Sequence, residues 1–411
     1  MSNPQFDIIV FGATSFVGQI LSRYLIEQYG LDGNVKWAIA GRSEGKLVSL
    51  KADLGAPAAD LDIIIADASD DAQLAAMCAQ TRTVISTVGP YALYGEPLVK
   101  ACCEQGTHYC DLTGEVQWIR EMIIKYEAQA KASGARIVHC CGFDSIPSDL
   151  GVFFLQQQAA QQFGAACPTV KMRVKAAKGG FSGGTAASLI NVAKEAAADP
   201  ALRKSLANPY SICPTDFRPS RRQHNVKSAE FDADFDAWTA PFVMGAINTR
   251  VVHRSNALQH AAYGEEFGYD EAVLTGTGLK GRAAALAVTA GMGGFLVASV
   301  IKPTRWALEK FVLPKPGEGP TPKAQREGFY DLRFVGISAD GKLLRTKVTG
   351  DRDPGYGSTG KMLGEAAMCL TFDLDAATPG GFWTPASLFG HKIIERLEAN
   401  AGLRFEVMES R

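Results

Sequence analysis

Apolar and polar positions in the first third of the chain alternate between two periods. Apolar runs of strand length recur at 6–11, 35–40, 61–66, 83–88, 108–111 and 136–141. Between these runs apolar residues recur at helical spacing, most clearly from Phe16 to Tyr29 and from Val116 to Lys131. Strands and helices that alternate in this way predict an α/β fold, a doubly wound parallel sheet with helices on both faces. We assign it to residues 1–145.

The pattern changes after this segment. Residues 170–176 and 242–252 have strand character, and residues 328–338 and 343–349 alternate as an antiparallel hairpin. Residues 199–240 are polar and contain several prolines, so we expect a long loop there. These features predict a second, α+β domain over 146–370 that serves substrate binding or oligomerisation. In 371–411 we expect a helix and a strand that pack back on the first domain.

The first apolar run leads into a glycine-containing turn. The residues concerned are Gly12, Ala13, Thr14, Ser15, Phe16 and Gly18. Gly12 allows a turn that a residue with a Cβ would resist, and the following helix directs free N–H groups and a partial positive charge at one point. The pattern resembles the dinucleotide fingerprint with Ser15, which can cap the helix, in place of a glycine. We therefore predict an NAD(P)-binding Rossmann domain; the alternative is an ordinary strand–helix turn.

The end of the second strand bears on the choice of cofactor. It carries Gly41, Arg42 and Ser43. A protein that binds NAD(H) usually places an acidic side chain near this position, where it binds the ribose hydroxyls. A guanidinium can instead bind the 2′-phosphate through two parallel hydrogen bonds, and Ser43 can add a donor. The sequence therefore predicts NADP(H) rather than NAD(H), with a solvated arginine at a helix start as the alternative.

Further candidates follow the other strands, because the carboxyl ends of parallel strands meet at the edge where such cofactors bind. We expect Asp67 and Ala68 near the adenine. We expect the cofactor to pass from pyrophosphate to nicotinamide ribose at Val88, Gly89 and Pro90.

A reduction also needs a proton donor. Tyr91 is the first candidate by position, although its ring could equally stack on the nicotinamide or lie in the core. Tyr94 is the second candidate and Asp144 the third. The segment around Asp144 could also be no more than a capped helix start.

Composition narrows the class of protein. The formal net charge of -1 leaves no basic field that would hold nucleic acid. The six histidines form no ligand-spaced pair and the nine cysteines form no Cys-x-x-Cys, so we predict no metal. Because the N-terminus lacks a signal-peptide pattern, we expect reduced thiols and a cytoplasmic location.

One apolar stretch complicates this picture. Ala283 to Ile301 is 19 residues long without a charge and is flanked by Lys280, Arg282, Lys302 and Arg305. Its length could span a bilayer, but six alanines and three glycines make it only modestly apolar, and Gly291 to Gly294 interrupts it. The pattern favours a core or interface helix pair. The alternatives are peripheral contact with a membrane or lipid surface and, least favoured, a span.

Six motifs together resemble the saccharopine dehydrogenase-like oxidoreductases, and most closely the branch of the trans-acting enoyl reductases. They lie at 12–18, 40–42, 87–91, 111–115, 142–149 and 178–185, and pieces at 248–250, 254–258, 314–317 and 353–356 agree. The resemblance implies a Rossmann domain, an α+β domain whose sheet could form a homodimer interface, NAD(P)-linked redox chemistry and lipid-like substrates. The branch commonly has glycine where this chain has Ser15.

We therefore expect an NADP(H)-dependent oxidoreductase that reduces a C=C or C=N bond of an acyl or lipid-like substrate. One alternative is a saccharopine-type amino acid dehydrogenase, in which Arg218, Arg221 and Arg222 would bind substrate carboxylates. Another is a lipid-surface protein that keeps the nucleotide-binding fold without catalysis.

Overall fold

The computed structural model describes residues 4–180, 183–311 and 319–410, and the chain divides into two compact units. Of the described residues, the first unit holds 4–143, Gly319 and 355–401. The second unit holds 144–180, 183–311, 320–354 and 402–410. The chain therefore enters the second unit at Asp144 and returns to the first at Gly355.

The N-terminal segment of the first unit alternates strands and helices. Its strands are β1 (Phe6–Phe11), β2 (Trp37–Gly41), β3 (Asp62–Ile65), β4 (Thr81–Ser86), β5 (His108–Asp111) and β6 (Arg136–Val138). Its helices are α1 (Phe16–Tyr29), α2 (Glu44–Leu54), α3 (Asp71–Cys78), α4 (Tyr91–Tyr94), α5 (Glu96–Gln105) and α6 (Val116–Ser133), with a 3₁₀ turn at Ala56–Ala58.

The second unit mixes longer strands and helices. Its helices are α7 (Ile146–Phe163), α8 (Gly183–Ala198), α9 (Pro200–Ala207), α10 (Gly245–Leu258), α11 (Gly278–Val300), α12 (Lys302–Phe311) and α13 (Pro322–Glu327). Its strands up to this return are β7 (Thr169–Lys178), β8 (Glu230–Asp232), β9 (Ala237–Pro241), β10 (Gly268–Gly276), β11 (Phe329–Ile337) and β12 (Leu343–Gly350).

The last part of the chain serves both units. In the first unit it forms α14 (Thr359–Met368), β13 (Gly381–Trp383), α15 (Pro385–Phe389) and α16 (His391–Arg396), with π-helical turns at Cys369–Asp373 and Leu397–Ala401. A further π-helical turn, Pro354–Ser358, opens this return. The final strand, β14 (Leu403–Ser410), lies in the second unit.

The sheet of the first unit has seven parallel strands in the order β13-β6-β5-β4-β1-β2-β3. β1 lies in its centre, where Ile8 is paired with Trp37 on one side and Thr83 on the other. The apolar side chains of β1 are buried because helices cover both faces of such a sheet. The strand order reverses between β1 and β4, which is where dinucleotides bind in folds of this kind. The predicted doubly wound sheet is confirmed.

Helix α14 completes the first unit by packing on α1. A Cβ at Gly364 would lie 3.0 Å from the Tyr24 ring, so the glycine lets the helices approach closely. The buried Glu365 carboxylate accepts hydrogen bonds from the hydroxyls of Tyr24 and Tyr29, each at 2.5 Å. These contacts attach the returning segment to the helix that follows the glycine turn.

The sheet of the second unit is mixed, with the order β14-β12-β11-β7-β10-β9-β8. β7 and β10 are parallel, and the other neighbours are antiparallel. The predicted hairpin is present as β11 and β12. Helix α7 packs on this sheet, and a Cβ at Gly151 would lie 2.3 Å from the ring of Phe334. The second α+β domain is confirmed as a mixed sheet with helices.

Two expectations about local structure were wrong. Residues 242–252 do not form a strand; most of them lie in α10, whose residues from Val251 to Asn256 are all buried. A short apolar run does not distinguish a strand from a buried helix, which explains the error. Residues 199–240 are not one long loop, because they contain α9, β8 and most of β9.

The boundaries near the C-terminus also differ from the prediction. Residues 359–370, expected in the second domain, belong to the first unit. The strand expected to pack on the first domain is β14, which pairs with β12 in the second unit. Pairing over such a distance leaves no trace in the local pattern, and the three-residue β13 is too short to produce one.

The apolar stretch forms a single helix rather than a broken pair. A Cβ at Gly291, Gly293 or Gly294 would meet nothing within 4 Å, and a glycine in an exposed helix costs only about 1 kcal/mol. Among the described residues, α11 is the one helix with the length and apolar composition to cross a membrane, and only 11% of its most apolar stretch is buried. The expectation of a core helix was therefore wrong, and that of an interface helix stays a prediction.

Candidate active site

The glycine turn between β1 and α1 brings three chain segments into close contact. Gly12 has a φ of +82°, and a Cβ there would lie 2.6 Å from Cγ2 of Val88 and 2.9 Å from Oγ1 of Thr87. A Cβ at Gly18 would lie 2.4 Å from the carbonyl oxygen of Gly12. Only glycine fits these two positions without movement of the backbone.

Ser15, which replaces the middle glycine of the fingerprint, holds this turn together. Its Oγ accepts a hydrogen bond from the Gly18 N–H at 2.9 Å and donates one to Oγ1 of Thr87 at 2.9 Å. Thr87 in turn donates to the Gly12 carbonyl at 2.8 Å. The serine therefore caps α1 and attaches it to the loop after β4. Thr87 was missed by the sequence analysis, although it lies within a quoted motif.

The turn fits a pyrophosphate. The first N–H groups of α1 have no partner within the helix, and the helix dipole adds positive potential at the same point. The two glycines let the β1–α1 turn pack closely against Thr87 and Val88 and against its own backbone, which fixes the direction of the helix start. The ring of Phe16 is occupied by protein contacts, since it packs edge-on against Tyr356 at 4.9 Å and Gly319 lies against it.

The residues predicted near the adenine ribose lie at the ends of two adjacent strands. Arg42 is exposed just after β2, and Asp67 is half-buried just after β3. Hydrogen bonds from the N–H and the hydroxyl of Ser69 lower the pKa of Asp67, and the nearby charge of Arg42 lowers it further. Ser43 precedes α2 without a side-chain capping bond.

Tyr91 has a structural role that opposes its assignment as proton donor. Its buried hydroxyl donates to the Ser86 carbonyl at 3.0 Å and accepts from the Leu112 N–H at 3.2 Å. Burial raises the pKa of Tyr91 well above its ordinary value. The hydroxyl therefore links the ends of β4 and β5, and its proton already forms the hydrogen bond to the Ser86 carbonyl. Tyr94 is 49% exposed.

The loop that carries Tyr91 is fixed by a buried carboxylate. The two oxygens of Glu115 accept hydrogen bonds from the N–H groups of Tyr91 and Ala92, both at 2.9 Å. Glu115 therefore holds the start of α4. The Gly89–Pro90 peptide bond just before it is cis.

Asp144 is the carboxyl group best suited to proton transfer among the predicted residues. It is half-buried, and no hydrogen-bond or ion-pair partner is found for it among the residues that the structure describes. Burial raises the pKa of Asp144 to about 6. A group with this pKa remains partly protonated near neutral pH, as a general acid must.

A buried polar cluster begins at the next residue. Ser145 Oγ donates to Oδ1 of Asn248 at 3.1 Å, and Nδ2 of Asn248 donates to Ser148 Oγ at 3.1 Å and to Glu271 Oε2 at 2.9 Å. Oε1 of Glu271 accepts from the Tyr269 hydroxyl at 2.7 Å. Burial raises the pKa of Glu271 to about 7. We call these five residues the Glu271 cluster.

The Glu271 cluster unites motifs that are far apart in the sequence. Its members come from the start of α7, from α10 and from β10, all within the second unit. Sequence reasoning quoted the segment around Asn248 without a role and missed Tyr269 and Glu271. Two adjacent acidic residues, Asp270 and Glu271, inside a mostly apolar strand were the available signal.

Gly180, from the glycine-containing motif at 178–185, and Arg221 are both engaged by other groups of the protein. The Gly180 N–H donates to Oδ1 of the buried Asp353 at 3.1 Å, whereas Phe181 and Ser182 of the same glycine loop lie outside the described residues. The Arg221 guanidinium donates to the carbonyls of Pro168 and Glu266.

Arg218 and Arg222, which were expected to bind substrate carboxylates together with Arg221, do not form a binding cluster either. Arg218 donates to the Thr215 carbonyl at 2.8 Å, and Arg222 is exposed. The described parts of the chain contain no group of three or more His, Cys, Asp and Glu side chains arranged to hold a metal ion.

Comparisons with known proteins identify relatives over nearly the whole length. Residues 8–138 match the family model described as the saccharopine dehydrogenase NADP binding domain. The chain is 36% identical over 410 residues to a trans-acting enoyl reductase of Mycobacterium tuberculosis, covering 96% of each chain. It is 36% identical over 413 residues to one of Mycobacterium ulcerans, covering 97% of each. A further Mycobacterium tuberculosis protein, provisionally given the same name, is 39% identical over 409 residues, or 96% of each.

Among solved structures, the fold is similar to that of apo saccharopine dehydrogenase (L-Glu forming) from Saccharomyces cerevisiae. The alignment covers 98% of this chain and 100% of the yeast chain, with a TM-score of 0.56 and 12% sequence identity. At this identity the similarity concerns the fold alone.

Proposed function

Because the chain belongs to the saccharopine dehydrogenase-like oxidoreductases, in the branch of the trans-acting enoyl reductases, and is an NADP-dependent oxidoreductase, we propose that it reduces an enoyl C=C bond or a C=N bond of an acyl or lipid-like substrate. The observation that carries the enoyl reaction is the similarity over nearly the full chain to relatives of that name. The yeast structure supports no amino acid substrate, since it shares only the fold.

We propose a division of the cofactor among four segments of the first unit. The pyrophosphate would be held by the start of α1 with Gly12, Ala13, Thr14, Ser15, Phe16 and Gly18. The 2′-phosphate would be held by Gly41, Arg42 and Ser43, the adenine by Asp67 and Ala68, and the nicotinamide ribose by Val88, Gly89 and Pro90. Bound NADPH supplies the hydride for the reduction.

Asp144 is the proposed source of the proton. In the reduction of an enoyl group, the hydride is added to the carbon remote from the carbonyl, and a proton must reach the carbon next to it. The Asp144 carboxyl group gives this proton and regains one from water after the reaction. The pKa of about 6, caused by burial, supports this role over that of an ordinary surface aspartate.

A saccharopine-type activity remains the second candidate by fold, but the arginines do not favour it. The guanidinium groups of Arg218 and Arg221 are engaged with backbone carbonyls of their own unit. They are therefore poorly placed to take up the carboxylates of a substrate of that kind.

The test is NADPH oxidation by the purified full chain with three substrate classes. We expect turnover with an α,β-unsaturated acyl thioester, and more with a long acyl chain than with a short one. Saccharopine with NADP⁺ and a lipid-like imine with NADPH are the comparison reactions. Turnover with the amino acid substrate alone, or cofactor binding without turnover of any of the three, would reject the enoyl proposal.

A further inference from the structure

We propose that α11 and α12 form a docking surface for an anionic lipid bilayer, on which α11 lies in the interface without crossing it. The first observation is the exposure of apolar side chains. Nine of the 19 large hydrophobic side chains exposed among the described residues lie between Leu279 and Phe311. Leu286, Leu296 and Val297 of α11 are each more than half exposed. A concentration of exposed apolar side chains of this kind normally marks a binding site.

The side of α11 that faces the protein explains why this helix would lie on a surface. Its buried residues are Gly281 and Ala285 near one end and Ser299 near the other. Arg282 stacks on the ring of Trp238 in β9 at 5.3 Å, and the Thr275 hydroxyl of β10 donates to the Gly281 carbonyl at 2.9 Å. These contacts hold the start of the helix to its own unit, so the side opposite Gly281 and Ala285 is the one that it offers. On an ordinary surface helix that side would be polar, and here it is apolar.

The charges around the apolar surface indicate which kind of partner it binds. Residues 277–311 contain five basic side chains (Lys280, Arg282, Lys302, Arg305 and Lys310) and one acidic residue, Glu309. This segment therefore carries a formal charge of about +4 within a chain whose net charge is -1. Basic residues beside an exposed apolar helix are attracted to anionic headgroups while the apolar side enters the acyl boundary.

Helix α12 adds the aromatic residues typical of a membrane interface. Trp306 is 56% exposed and Phe311 is 70% exposed. The ammonium group of Lys310 lies 4.6 Å from the centre of the Trp306 ring and 5.3 Å from that of Phe311. Aromatic rings beside cationic groups suit the headgroup level, where one part of the side chain is apolar and the other is in water.

A second copy of the chain fits this surface less well than lipid does. If two α11 helices packed antiparallel, Lys280 of one would lie near Lys302 and Arg305 of the other. In a parallel pair, each cation would face its own equivalent. Both arrangements place like charges opposite each other, which disfavours a protein interface. Anionic lipid instead neutralises both ends of the helix.

Flotation of the full chain with lipid vesicles tests the proposal. We expect the chain to float with vesicles in which about a third of the lipid is phosphatidylglycerol, and to bind phosphatidylcholine vesicles at least about 100-fold more weakly. The Leu296→Glu/Val297→Glu variant should lose at least about 10-fold in binding, because two charges would enter the acyl boundary. Lys302→Gln/Arg305→Gln should lose about 30-fold on the anionic vesicles alone.

Ile124→Glu is the matched control, because Ile124 of α6 is 66% exposed and lies outside the docking surface. It should float like the wild type. Absence of the wild type from the floated fraction, or equal flotation of the Leu296→Glu/Val297→Glu variant, would overturn the proposal. So would a wild-type dimer in light scattering that this variant converts to monomer, because a second copy would then cover the surface. Binding that resists alkaline carbonate would indicate a span instead.

Discussion

The glycine turn of the first unit and the Glu271 cluster of the second are built in opposite ways. The turn uses backbone groups of one short stretch, Gly12 to Gly18, supported by Thr87. The Glu271 cluster uses side chains only, and its members are spread from Ser145 to Glu271. A site made of backbone groups can be recognised in the sequence from the positions that require glycine. A site made of side chains exists only once distant elements have packed together.

The largest effect should come from Asp144, which precedes the first residue of the Glu271 cluster. We expect Asp144→Asn to lower turnover by about 100-fold with NADPH binding unchanged, because the amide cannot supply the proton. Since the protonated carboxyl is the active form and its pKa is about 6, wild-type turnover should fall as the pH rises through that value.

Steady-state kinetics across the pH range checks this, with the exposed Asp375→Asn as the control. If Asp144→Asn kept wild-type turnover while Tyr94→Phe lost it, the proton donor would be Tyr94.

The second effect is the loss of folding stability when Glu271 ionises. The pKa of Glu271 is raised from 4.5 to about 7 by burial, so the folded state retains a proton that the unfolded state has lost. The contribution of Glu271 to the free energy of unfolding is therefore largest below pH 4.5. It falls by at most about 3 kcal/mol as the pH rises through 7.

Urea denaturation at pH 5 and pH 8 measures this change. The loss of stability between the two values should be smaller in Glu271→Gln than in the wild type or in the exposed control Glu395→Gln. Equal losses in all three proteins would show that Glu271 does not titrate in this range.

The third effect tests the glycine turn. Gly12→Ala places a Cβ at 2.6 Å from Val88 on a backbone with positive φ, so the turn must shift. We expect NADPH binding to weaken by about 30-fold, or about 2 kcal/mol. Gly45→Ala is the matched control, since a Cβ there meets nothing within 4 Å. Isothermal titration calorimetry of both variants measures their affinity for NADPH. An unchanged affinity in Gly12→Ala would show that the turn does not take part in cofactor binding.

The smallest effect should come from Tyr91. Tyr91→Phe removes a hydroxyl that donates to the Ser86 carbonyl and accepts from the Leu112 N–H, which should lower the free energy of unfolding by about 1 kcal/mol. Turnover should stay near that of the wild type. A loss of turnover with unchanged stability would restore Tyr91 as the proton donor.

The features that could be predicted from the sequence are those that local interactions determine. The turn at Gly12, the helix from Phe16 to Tyr29 and the hairpin of β11 and β12 follow from local spacing, and they were found where expected. The role of Tyr91 could not be predicted, because its hydroxyl is engaged by groups that meet only at the edge of the sheet. The same holds for β14, whose partner strand is distant in sequence.

The exposure of α11 was not predicted for a related reason. Apolar composition normally indicates burial, and the sequence does not reveal which side of a helix the rest of the fold will cover. The homodimer and the cytoplasmic location expected from the sequence stay predictions.

A fluorescence titration tests whether the first unit binds NADP(H) through the glycine turn and Arg42. Wild type and Arg42→Ala would each be titrated with NADPH and NADH. We predict that the wild type prefers NADPH by at least about 10-fold, and that Arg42→Ala weakens NADPH by about 30-fold while NADH changes by less than about 2-fold. Equal binding of the two cofactors by the wild type, or an unchanged preference in Arg42→Ala, would contradict the account.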